Sequence, residues 1–130
     1  MFLKKTYPAF LWTALIFILC SMPGKAIPHI SWLELLSFDK FVHASIFFVL
    51  QVLFMRGFVL QTNFIILRQY YKWITLFICI TYGGILEVMQ SYCFTERSGD
   101  VLDFIANSFG CVIGVLCFQK LQNRLAFFKG

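Results

Sequence analysis

Four long apolar runs decide what this chain can become. They cover about 7–22, 39–56, 71–92 and 100–118. Each is long enough to cross a bilayer as a helix, at about 1.5 Å of rise per residue. The first is the shortest, roughly 24 Å when helical, so it is expected to cross with little tilt. Breaks separate the runs: Pro23-Gly24 to Pro28 after the first, Arg56-Gly57 after the second, and Ser91 to Gly99 before the last. In hydrocarbon every backbone group must be satisfied within the segment, which favours helices. The expected fold is therefore all-α: one domain over 1–130, an integral membrane four-helix bundle running up-down-up-down.

Composition agrees with this reading. The chain is 60% apolar and only 13% charged, whereas about a quarter of the residues in a soluble domain are charged. A net charge of +5 would suit nucleic acid, but the basic residues are scattered at the ends of apolar runs. They read as topology signals, and a nucleic-acid partner is rejected. Five cysteines make an odd count without a C-x-x-C pair, and only Cys93 falls in a connection. Neither a disulfide framework nor a zinc cluster is expected. Lys4, Lys5 and the run after them resemble a signal peptide. Bulky Ile18 and Leu19 stand where cleavage needs small residues, so the run is expected to be retained as the first span.

Orientation follows from the basic residues. Four spans put Lys4, Lys5, Arg56, Arg68, Lys72, Lys120, Arg124 and Lys129 on one side, and Lys25, Lys40 and Arg97 on the other. That asymmetry predicts cytoplasmic termini and a multi-pass protein of the bacterial inner membrane. Glu34, Asp39, Glu87, Glu96, Asp100 and Asp103 then all gather toward the outer half. The segment 25–38 is expected to hold a short interfacial helix, with Asp39 as N-cap of the second span and Asp100 of the fourth. Phe64 to Leu67 is expected to lie in the interface, and Trp12, Trp32 and Trp73 to act as interface anchors.

The stretch from Glu87 to Gly114 carries the chemistry. Glu87 and Gln90 share a face of one helix. After the turn containing Arg97, Asp103, Asn107, Gly110 and Gly114 fall on one stripe of the next. On the second span Asp39, Lys40 and His43 crowd the start, and the face of Asp39 and His43 continues through Phe47, Leu50 and Phe54. Asp39 beside His43 reads as an acid/base pair, or as a cap and a histidine bonded to another helix. Glu87 inside a span must be shallow, protonated or paired, since such a charge costs about 2.5–3.5 kcal/mol on insertion scales. Arg97 reads as a bidentate clamp for phosphate or carboxylate, or as an internal partner of Glu87 or Asp103. Gly110 and Gly114 read as a close-packing face. No cofactor is expected; a metal held by His43, Glu87 and Asp103 is a minor option that no local spacing demands.

Taken together, Asp39-Lys40-x-x-His43, Glu87-x-x-Gln90, Arg97, Asp103-x-x-x-Asn107 and Gly110-x-x-x-Gly114 resemble the VanZ-like family of small bacterial membrane proteins. The Pro23-Gly24 to Pro28 connection is similar to that family's first loop, and the likeness covers nearly the whole chain. The family takes its name from a protein linked to low-level teicoplanin resistance, so the resemblance implies a cell-envelope role and no defined activity. Phe47 stands where the family leads one to expect a tyrosine.

Three function classes follow. The first is recognition or modification of a polar head group, on a lipid or lipid-linked envelope precursor at the outer leaflet. Asp39, Lys40, Gln90, Arg97, Asp103 and Asn107 would bind it. The second is a membrane hydrolase or transferase with His43 or Glu87 as general base. The third is a structural or accessory subunit without its own ligand. An oligomer is left open. A transporter ranks lower, because four helices leave little room for a pathway.

Overall fold

A computed structural model describes residues 2–21, 32–92 and 101–126. Five helices account for nearly all of them: α1 (Phe2–Ser21), α2 (Trp32–Val59), α3 (Ile65–Gln69), α4 (Tyr71–Tyr92) and α5 (Val101–Arg124). No strand occurs among the described residues. Four helices are long and apolar enough to cross a membrane, through segments Phe2–Leu19, Lys40–Val59, Tyr71–Met89 and Val101–Arg124.

α2 is the centre of the bundle. It packs on α1, α4 and α5, and its contact with α5 is the most extensive in the molecule. α1 and α4 run antiparallel to α2, whereas α5 runs parallel to it. The register of α2 on α5 is read from Lys40 opposite Asp103, Ala44 opposite Gly110, Gln51 opposite Gly114, and Met55 packed with Phe118. A Cβ added at Gly110 would lie 2.1 Å from the Ala44 carbonyl oxygen. Only a hydrogen fits there, so the backbones meet directly. On α4 the glycines meet side chains instead of backbone, Gly83 the side chains of Phe47 and Asn107 and Gly84 that of Phe104.

α5 shows how a bilayer inverts the usual pattern. Asp103, Asn107, Gly110, Cys111, Gly114 and Phe118 are buried, while Val101, Ile105, Phe109, Val112 and Leu116 lie exposed on the other face. Small and polar residues hold neighbours, and bulky apolar ones are left for lipid. At the other end of the bundle Phe2, Phe10, Phe54 and Phe58 lock α1 to α2, with ring centroids 5.8–6.4 Å apart. The Lys5 ammonium donates to the Leu60 carbonyl, and Arg56 donates to the Lys5 carbonyl at 3.2 Å.

Three expectations need correction. Asp39 is not an N-cap: α2 begins at Trp32, so Asp39 lies well inside it. The reason is local, since Trp32-Leu-Glu-Leu-Leu contains no breaker and several strong helix formers. Residues 32–38 therefore belong to α2 instead of an interfacial helix; 25–31 and Asp100 fall outside the described residues. Trp12 is no interface anchor. Its indole donates to the Ile46 carbonyl at 3.0 Å and ties the middle of α1 to α2. Within the 61–69 connection the apolar centre winds into the short α3, which leaves its expected interfacial placement unchanged.

Candidate functional site

The polar residues of three helices meet at one end of the bundle. α2 supplies Lys40 and His43, α4 supplies Glu87 from its last turns, and α5 supplies Asp103 and Asn107 from its first. Since α4 enters antiparallel and α5 parallel to α2, these positions fall at one depth. On α5 the i, i+4 spacing of Asp103 and Asn107 matches the i, i+3 spacing of Lys40 and His43, so the pairs dock rung by rung.

The contacts are specific. The Lys40 ammonium is ion-paired with Oδ1 of Asp103. His43 Nδ1 is 3.0 Å from the Asn107 amide oxygen, and His43 Nε2 is 3.7 Å from Oδ2 of Asp103. An amide oxygen only accepts, so Nδ1 carries a proton and donates. His43, Glu87 and Asp103 each bring a donor atom to a point where all three lie within 4.8 Å of one another. Glu87, Asp103 and Asn107 are buried. Two carboxylates withdrawn from water in so small a space require positive charge or a proton between them, and Lys40 supplies positive charge to Asp103.

Of the residues singled out from sequence, His43, Glu87, Lys40, Asp103 and Asn107 thus come together. Gly110 and Gly114 sit further along the α2–α5 seam, where they set how closely the helices approach. Asp39 lies next to Lys40 on α2 and Gln90 in the last turn of α4, but their side chains lie outside the described residues. So do Arg97 and Cys93.

Sequence reasoning missed a second buried polar contact deeper in the bundle. Gln51 Nε2 donates to the Thr75 hydroxyl at 2.8 Å, and that hydroxyl donates to the Tyr71 carbonyl at 2.5 Å. The Gln51 amide oxygen is buried without a hydrogen-bond partner. The available signal was a lone amide in an otherwise apolar run. Phe47, the residue in place of a tyrosine, is fully buried against the Tyr82 ring at 6.2 Å. The Tyr82 hydroxyl donates to the Thr13 carbonyl at 2.8 Å, so a phenol does sit beside this position, directed toward α1.

Comparison with known proteins finds no match among curated sequences or solved structures. One family model does match, described as VanZ/LLP1, over residues 6–123. That match spans nearly the whole chain, from the first turns of α1 to the end of α5, and takes in every residue of the polar cluster. The chain belongs to the VanZ-like family of membrane proteins.

Proposed function

We propose that the protein recognises a polar head group of a membrane lipid or lipid-linked cell-envelope precursor, at the outer leaflet of a bacterial inner membrane. The observation that carries this reading is the convergence of Lys40, His43, Glu87, Asp103 and Asn107 at one end of a bundle that otherwise faces lipid. Ionisable groups within spans are expensive, and they usually mark a ligand or ion site. The excess of basic residues at the opposite end directs the cluster outward. Lys40 supplies a cationic donor suited to a phosphate, and Arg97, singled out from the sequence alone, would supply a second. An effect on lipoglycopeptide susceptibility would follow from binding such a precursor.

A second reading is enzymatic, as a hydrolase or transferase. It rests on the His43–Asn107 bond, which puts the proton on Nδ1 and directs Nε2 toward the carboxylates, as a general base requires.

Native mass spectrometry of the detergent-purified protein tests the binding reading. The wild type should retain an anionic lipid or polyprenyl-linked precursor, and Lys40→Ala and Arg97→Ala should lose it while remaining folded. The double variant Lys40→Ala with Asp103→Asn removes the unpaired carboxylate. If retention returns with it, the cluster is structural and the head-group reading fails. Hydrolysed or transferred head groups in the same spectra would favour the enzyme.

A further inference from the structure

We propose that His43, Glu87 and Asp103 bind one divalent transition-metal ion, zinc or manganese, with Asn107 positioning the imidazole. The site stands independently of any head group.

The donor set comes first. One imidazole nitrogen and two carboxylates suit borderline ions such as zinc and manganese, and the three donors come from three different helices. Their donor atoms already lie within 4.8 Å of one another. Two ligands on a tetrahedral ion at about 2.0–2.1 Å sit about 3.3 Å apart. Drawing the set onto an ion therefore needs side-chain rotation of about an ångström and no helix movement.

The histidine is the second point. Metal-bound histidines usually donate their other ring N–H to a fixed acceptor, which sets tautomer and ring angle. Asn107, itself only 2% exposed, accepts from Nδ1 at 3.0 Å. Nε2 then faces Oδ2 of Asp103 at 3.7 Å. At that distance the two atoms are beyond hydrogen-bond reach. The gap suits an ion between them.

The two oxygens of Asp103 divide their work. Oδ1 takes the Lys40 ammonium, and Oδ2 faces His43. Lys40 therefore balances one negative charge without covering the oxygen an ion would use. Among the described residues the set provides three protein donors, so at least one coordination position stays open to an exogenous oxygen, as in sites that bind or activate a ligand.

The test uses full-length protein carrying a streptavidin-binding tag, because a histidine tag would bind the same ions. Preparations stripped with chelator are reloaded with zinc or manganese, washed, and measured by inductively coupled plasma mass spectrometry. One ion per chain is expected in the wild type and in Gln51→Met, a control outside the cluster. His43→Ala, Glu87→Gln and Asp103→Asn should each bind at least about tenfold more weakly. Asn107→Leu should lose about 10–100-fold in affinity, and Asn107→Asp, which keeps an acceptor for Nδ1, should recover most of it. Cobalt gives a second readout: visible d–d bands in the wild type and Asn107→Asp, absent from a His43→Ala protein whose thermal melt in detergent matches the wild type. No retained ion in the wild type, or retention unchanged across the three ligand variants, overturns the proposal.

Discussion

Adding a single methyl group at Gly110 tests whether the α2–α5 seam sets the geometry of the polar cluster. In Gly110→Ala the new Cβ would lie 2.1 Å from the Ala44 oxygen, 2.8 Å from its carbonyl carbon and 3.0 Å from its Cα. Ordinary contact begins near 3.4 Å, so the helices must part by 3.4 − 2.1, about 1.3 Å. Overpacking of this kind costs about 1–3 kcal/mol, and a backbone obstacle places it at the upper end. Alanine's better helix propensity returns up to about 1 kcal/mol, leaving a net loss of about 2 kcal/mol. The same separation would stretch the His43–Asn107 bond from 3.0 Å to beyond 4 Å. Head-group retention and metal loading should therefore fall together with stability. Because the obstacle is backbone, trimming the side chain with Ala44→Gly should not rescue the variant. Thermal unfolding in detergent measures the effect. A Gly110→Ala protein as stable as wild type, or one restored by Ala44→Gly, would refute the argument.

Three further outcomes are expected. Gly57→Ala places a Cβ 2.6 Å from Cγ2 of Thr6 and 3.1 Å from the Lys5 carbonyl oxygen and the Thr6 Cα; it should destabilise, and Thr6→Ser, which removes that methyl and keeps the hydroxyl bonded to Phe2, should recover part of the loss in the same melts. Gln51→Met should be within about 1 kcal/mol of wild type or more stable, since it removes an unpartnered buried oxygen along with one neutral hydrogen bond. Gln51→Ala should be clearly less stable because of the cavity it leaves. Single cysteines placed at 61–69 should resist an impermeant thiol reagent in intact cells and react after permeabilisation; labelling from outside would reverse the orientation expected from the basic residues.

The sequence by itself determined the class of the fold and most of the membership of the site. Long apolar runs admit only helices in hydrocarbon, and the runs at 71–92 and 100–118 were legible because polar and charged breaks bound them. The period of Asp103, Asn107, Gly110 and Gly114 likewise identified the buried stripe of α5, because helical spacing alone fixes which residues share a face. The start of α2 was misread because Asp39 is a good cap in isolation, while seven preceding residues equally suited to a helix outvote it. Which nitrogen of His43 meets Asn107, and which oxygen of Asp103 meets Lys40, are matters of rotation about helix axes that no local pattern encodes. Gln51 and Thr75 were overlooked for the same reason: a lone polar residue in an apolar run acquires meaning only when another helix presents its partner. The distance between α2 and α5 belongs to tertiary structure as well. A glycine in sequence marks room for close approach, but only the packed backbone shows that the Ala44 carbonyl fills the room at Gly110, while the base of the Gln51 side chain and the Phe48 carbonyl share it at Gly114.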